Sequence, residues 1–246
     1  MTLPSETPQA SAPQPVVVVA CRVLQDLLES LLPEGLGAHL NWMDYGLHRV
    51  PGQMTGALQA VIDAIDRPSL VVLGYGLCGN GLKGLQARQH TLLAPRTDDC
   101  IAIFLGSYRA YMREFQSTPG TIYLTKGWLE SGSNPLQEYE ALVVKYGAKE
   151  ADWLIDQQYR NYSRLALVAH SQADLEHYRP QAQAVAKFAQ RWGWRYQEIL
   201  GSDNYVRHLV EATVALSGGQ KMPAALNADF VVVPPGGEIE QLSFIR

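Results

Sequence analysis

Short runs of aliphatic, mostly β-branched residues alternate along this chain with segments in which apolar residues recur at helical spacing. The strand-like runs occupy 16–20, 38–43, 70–73, 91–94, 121–124, 165–169, 194–199 and 230–233. Strands that alternate with helices assemble into parallel sheets covered on both faces. The pattern therefore predicts an α/β fold, a doubly wound, mostly parallel sheet of about seven strands with helices on both faces.

The composition favours a single α/β domain over residues 16–246, preceded by a flexible tail over residues 1–15. Apolar residues make up 47% of the chain and charged residues only 18%, which favours strands buried on both faces. A net charge of −4 offers no general attraction to nucleic acid or anionic lipid. With no membrane-length apolar run and no signal-peptide pattern, we expect a cytoplasmic protein that binds neither nucleic acid nor membrane.

Each of the three cysteines follows a predicted strand. Cys21 comes directly after the run 16–20, and Cys78 lies in the glycine-rich segment GYGLCGNGLKGL that follows 70–73. Cys100 follows 91–94, at the start of a predicted helix. Because the carboxyl ends of parallel strands share one edge of a sheet, where ligands of such folds bind, we expect the three thiols to meet there.

Three widely spaced thiols do not resemble a disulfide scaffold, but they are suitable ligands for a soft or borderline metal. They could bind zinc, leaving a fourth position open for Lewis-acid chemistry, or they could hold an iron–sulfur cluster. His170 also follows a strand and could be a fourth ligand, although an imidazole hydrogen-bonded to backbone is the simpler interpretation. Three unlinked core thiols remain the alternative without a function.

Two other functions are compatible with the same residues. Cys100 or Cys78 could be the nucleophile of a hydrolase or transferase, with His90 or His170 as its base. A non-catalytic protein could instead bind a small ligand or cofactor at the glycine-rich loop. The residues expected to contact a small-molecule substrate are Gly76, Gly79, Asn80, Arg96 and Asp99.

Five blocks of the chain resemble a known family. They read VVACRVL, LGYGLCGNGLKGL, PRTDDCIAIFLGS, PGTIYLTKGW and FVVVPPGG. These blocks, with their GLCGNG and DDC motifs, resemble an uncharacterised domain-of-unknown-function family that is often encoded beside corrinoid-dependent methyltransferases. The resemblance implies a shared metal site at Cys21, Cys78 and Cys100. It also implies an enzyme or accessory factor in one-carbon or methyl-transfer metabolism, with a corrinoid-system protein as a partner.

Overall fold

The computed structural model describes residues 13–245, without the side chains of residues 48, 49 and 51. Most of the tail predicted over residues 1–15 lies outside the described residues. The strands are β1 (Val16–Cys21), β2 (His39–Met43), β3 (Leu70–Gly74), β4 (Thr91–Pro95), β5 (Thr121–Leu124), β6 (Arg164–Ala169), β7 (Arg195–Leu200) and β8 (Phe230–Val233). The α-helices are α1 (Gln25–Leu31), α2 (Pro51–Asp63), α3 (Cys100–Phe104), α4 (Tyr108–Ser117), α5 (Lys126–Glu130), α6 (Pro135–Tyr146), α7 (Ala148–Tyr159), α8 (Gln172–Ala189) and α9 (Asn204–Ser217).

The alternation of strands and helices confirms the predicted α/β class. Apolar residues recur at helical spacing from Ile101 to Phe115, which predicts one helix after Cys100. That prediction is wrong, because the segment is divided into α3 and α4. Gly106 adopts a left-handed φ of 85° between them, a conformation that ends a helix. Ser107 then caps α4 by accepting a hydrogen bond from the Ala110 N–H at 3.0 Å.

The first sheet has the strand order β2-β1-β3-β4-β8. Its first four strands are parallel, and β8 pairs antiparallel with β4. All six residues of β1 are buried, as expected for a central strand covered on both faces. The chain reverses direction across the sheet between β1 and β3, and the crevice at the carboxyl ends of such strands is where α/β proteins bind ligands.

The remaining strands form a second sheet, β5-β6-β7, in which all neighbours are parallel. We expected one continuous sheet, and that expectation is wrong. The free edge of β4 is occupied by β8, which pairs from Leu92 with Val233 to Pro95 with Phe230. Because β8 takes up the hydrogen-bonding groups of that edge, β5 cannot extend the first sheet and starts a new one.

The two sheets meet at their carboxyl ends. The backbone N–H of Ser202, which follows β7, donates to the Phe104 carbonyl at 3.0 Å. Lys126, at the start of α5, forms an ion pair with Asp26 of α1. The loops that leave both sheets consequently line one cleft. Among the described residues, no helix is long and apolar enough to cross a membrane.

Candidate functional site

Two loops at the carboxyl edge of the first sheet are held together by backbone hydrogen bonds. The N–H of Leu77 donates to the Thr97 carbonyl, and the N–H of Cys78 donates to the Asp98 carbonyl, both at 2.8 Å. These bonds align the loop after β3 with the loop after β4. Cys78 is thereby brought beside Cys100, which begins α3.

Gly76 is required for this close approach. A Cβ atom built on Gly76 would lie 2.7 to 2.8 Å from backbone atoms of Asp99, closer than real Cβ contacts. Further along the loop, Cys78, Gly79 and Asn80 all have left-handed φ angles, of 47°, 64° and 72°. Since cysteine rarely adopts this conformation, the loop maintains a strained backbone at the residue that carries a thiol.

The three thiols interact electrostatically. Burial raises the pKa of Cys21 to about 11 and that of Cys78 to about 12, and it raises the pKa of Cys100 well above its usual value. Neighbouring groups raise these pKa values further: Asp44 acts on Cys21, and Asp99 and Cys21 act on both Cys78 and Cys100. All three are free thiols that stay protonated at neutral pH. A nucleophilic cysteine needs a lowered pKa, so these shifts are opposite to those of the nucleophile hypothesis.

Asp99 lies between the two loops. One carboxylate oxygen accepts the N–H of Ile101 at 2.8 Å and caps α3, and the other accepts the hydroxyl of Tyr111 at 3.4 Å. Burial raises the pKa of this carboxyl, although these hydrogen bonds favour its charged form. Asp99 therefore holds the start of α3 in place and adds negative charge next to the thiols.

The other residues expected to contact a substrate lie in different surroundings. Gly79 and Asn80 are exposed on the outer side of the loop. The Arg96 guanidinium donates to the carbonyl of Ile245, which links it to the C-terminal segment.

The glycine-rich loop differs from a dinucleotide-binding loop. Its N–H groups at Leu77, Cys78, Gly81 and Leu82 all bond to protein carbonyls. Residues 78–84 form turns, where a dinucleotide-binding loop would begin a helix. Few donors of this loop are therefore available to a phosphate.

A cavity of about 20 Å³ lies between the sheets and is lined by Cys21, Cys100, Thr125 and their apolar neighbours. Thr125 follows β5 and is 1% exposed, and its Oγ1 has no hydrogen-bond partner among the described residues. The hydroxyl of Tyr75 is also buried without a partner, and the pKa of Tyr75 is raised by burial and by all three thiols. Sequence analysis missed both residues, although Tyr75 lies within GYGLCGN and Thr125 lies within the block PGTIYLTKGW.

The two candidate bases lie in different places. His90 precedes β4 and is at the opposite edge of the sheet from Cys100, so it cannot be the base of that thiol. His170 follows β6, stacks on Phe104 with ring centroids 4.4 Å apart, and lines a separate cavity of about 40 Å³. Its Nε2 is buried without a partner among the described residues, and burial lowers its pKa.

The arrangement brings three thiols and a carboxylate to one cleft. In this conformation, no group of three or more His, Cys, Asp or Glu side chains within residues 13–245 is positioned to hold a metal ion.

Comparison with known proteins identifies the family. A family model described as "Protein of unknown function (DUF1638)" matches residues 42–210, a stretch that contains Cys78 and Cys100 and begins after Cys21. Comparisons with the curated proteins and with the solved structures found no match. The family match agrees with the resemblance to an uncharacterised family. Because it covers more than half of the chain, this protein belongs to the DUF1638 family.

Proposed function

We propose that Cys21, Cys78 and Cys100 bind one soft or borderline metal ion at the cleft between the two sheets. The observation that carries this proposal is the convergence of thiols from three separate loops. Cys21 and Cys100 line the same small cavity, and the backbone of Cys100 hydrogen-bonds to the thiol of Cys78. Thiolates are the ligands that zinc and other soft ions prefer.

The charges around the thiols favour a cation over an anion. Burial, and then the carboxylates of Asp44 and Asp99, raise the thiol pKa values, so each thiolate is unfavourable without a compensating positive charge. A bound metal ion reverses this balance, because a coordinating thiol loses its proton outright. A cluster that stays protonated when metal-free is therefore compatible with a metal site.

Metal binding would require the thiols to rearrange, because Cys78 does not line the cavity that Cys21 and Cys100 share. Rotation of a cysteine about its Cα–Cβ bond moves the sulfur by about 3 Å between staggered positions, enough to turn a thiol toward a common centre. The cavity of about 20 Å³ favours a single ion such as zinc. An iron–sulfur cluster contains several metal and sulfide atoms and needs a larger space.

Three protein thiolates would leave a fourth position on the ion for a substrate atom, which permits Lewis-acid chemistry. The resemblance to a family encoded beside corrinoid-dependent methyltransferases makes one-carbon and methyl transfer the first activity to examine. In that role the ligand is a small-molecule substrate or a protein of the corrinoid system.

Metal analysis of anaerobically purified protein tests the proposal. We expect one zinc per chain, or one Co²⁺ after reconstitution, and a loss of affinity greater than about tenfold for each of C21S, C78S and C100S. The exposed histidine of α9 provides a matched control, since H208Q removes a metal-binding side chain away from the cleft.

Alkylation of the unmodified chain gives a second measurement that does not depend on how the variants fold. Bound metal should protect all three thiols from iodoacetamide, as counted by mass spectrometry. The proposal is wrong if the chain takes up no zinc or Co²⁺, or if the cysteine variants bind metal as tightly as the parent.

A further inference from the structure

The strand β2 forms a free edge of the first sheet, and no backbone group of the described residues pairs with its outer side. On the inner side, β1 pairs with all five residues of β2 in a continuous parallel register. The N–H and C=O groups of β2 that point outward are therefore open to a further strand. We propose that a second copy of this chain binds there, so that two β2 strands pair antiparallel about a twofold axis and join both first sheets into one.

Among the described strands, the other three free edges carry features that keep a strand from pairing with another chain. β7 bears the charged residues Arg195 and Glu198. β5 and β8 are only four residues long and lie close to prolines, at position 119 for β5 and at positions 234 and 235 for β8. β2, with the sequence HLNWM, contains no Asp, Glu, Lys, Arg or Pro and no bulge. An edge without this protection is suited to a partner strand.

The sequence of β2 is complementary to itself in this arrangement. In a sheet that continues across a twofold axis, opposite residues must lie on the same face, and the register that pairs all five residues places Asn41 opposite its own copy. Leu40 then lies opposite the partner's Trp42, and Trp42 opposite the partner's Leu40, which gives two apolar cross-strand pairs. No like charges meet along the strand, so a second copy fits this edge.

Apolar surface beside β2 extends the contact beyond the strand. A Cβ atom built on Gly74 would meet both the Ala20 side chain and Leu28, so α1 covers the face of the sheet on which Ala20 lies. Trp42 pairs with Ala20 and lies half-buried on the same face. The end of α1 and the segment that connects it to β2 add three half-buried leucines, at positions 31, 32 and 36. A standard interface buries about 800 Å² on each partner, more than five strand residues offer, so these leucines are needed to complete it.

Asn41, at the centre of the pairing, can be replaced with little effect on the single chain. Its side chain lines an open groove of about 640 Å³ between β2 and α2, so a charged side chain there can reach solvent. Its amide donates to the Val18 carbonyl at 3.4 Å, a long bond whose loss costs little stability. Asn41 is therefore a position at which added charge tests the dimer and spares the fold.

The test measures the mass of the chain in solution by sedimentation velocity over a range of concentrations. We expect the parent to be a dimer, and N41K and N41D each to weaken dimerisation by about tenfold or more, because the twofold axis places like charges opposite each other. An equimolar mixture of N41K and N41D should dimerise within about threefold of the parent, since opposite charges then face each other. V232K is the matched control, because it adds a charge at an exposed position of β8, the other free edge of the same sheet, and should dimerise like the parent.

Restoration by mixing distinguishes a twofold axis at Asn41 from a loss of folding, because one misfolded variant would not restore another. A parent that stays monomeric up to about 100 µM overturns the proposal. So does dimerisation of N41K or N41D with the affinity of the parent, or failure of their mixture to dimerise. Loss of the dimer in V232K would place the interface at β8 and overturn the role of β2. Dimerisation through β2 does not rest on the metal site, so the failure of one proposal leaves the other intact.

Discussion

Replacement of Gly76 by alanine should separate the two loops that bring Cys78 to Cys100. The added Cβ would lie 2.7 to 2.8 Å from the Cα, C and O atoms of Asp99, and the obstacle is backbone, which cannot rotate away as a flexible side chain can. The loops must therefore move apart at the point where Cys78 N–H donates to the Asp98 carbonyl at 2.8 Å.

The size of the effect follows from two contributions. Overpacking of a close-packed site destabilises proteins by about 1–3 kcal/mol. Weakening the two backbone bonds between the loops adds up to about 1 kcal/mol for each. We therefore expect G76A to lower the free energy of unfolding by about 2–4 kcal/mol and to reduce metal uptake, because Cys78 moves away from its partners.

Urea unfolding monitored by circular dichroism measures the loss, with G56A as the control. Gly56 lies inside α2 with open space around it, so alanine there should raise stability by up to about 1 kcal/mol. The reasoning is refuted if G76A unfolds within about 0.5 kcal/mol of the parent, the range of an ordinary surface change, and binds metal normally.

Three further predictions concern buried polar groups. Burial lowers the pKa of His170 in the folded state. Below the ordinary histidine pKa of about 6.5, the unfolded chain therefore binds a proton that the folded chain does not, and the free energy of unfolding should fall as the pH drops. H170Q should lose less of its free energy of unfolding than the parent between pH 7.5 and pH 5 in urea titrations. An equal loss in both would contradict this assignment. E114Q should lower the free energy of unfolding by about 3 kcal/mol in the same titrations, because it leaves the buried Arg164 guanidinium without the carboxylate that lies 3.0 Å away. R164M removes the buried charge itself and should cost less, and the opposite order would contradict this reasoning. Y75F should stabilise the metal-free chain by about 1 kcal/mol in the same assay, since it removes an unpaired buried hydroxyl, and a destabilised variant would reveal a partner for that group.

The sequence determined the local elements and the places of the thiols. Apolar periodicity predicted each of the eight strands within one or two residues, because the two-residue and 3.6-residue repeats reflect which face of an element is buried. Since each cysteine follows a strand directly or within a few residues, its position at the carboxyl edge also follows from the pattern. The interpretation as a metal site stays a prediction.

Tertiary structure decided how the strands are shared between sheets. The pairing of β8 with β4 joins segments more than a hundred residues apart, and no local pattern specifies which edge a strand will occupy. That pairing ends the first sheet and leads β5 to begin the second. Thr125 reaches the thiols only as a result, because the two sheets face each other at their carboxyl ends. Thr125 shares that cavity with residues far away in the sequence, and the local sequence around Thr125 does not predict this.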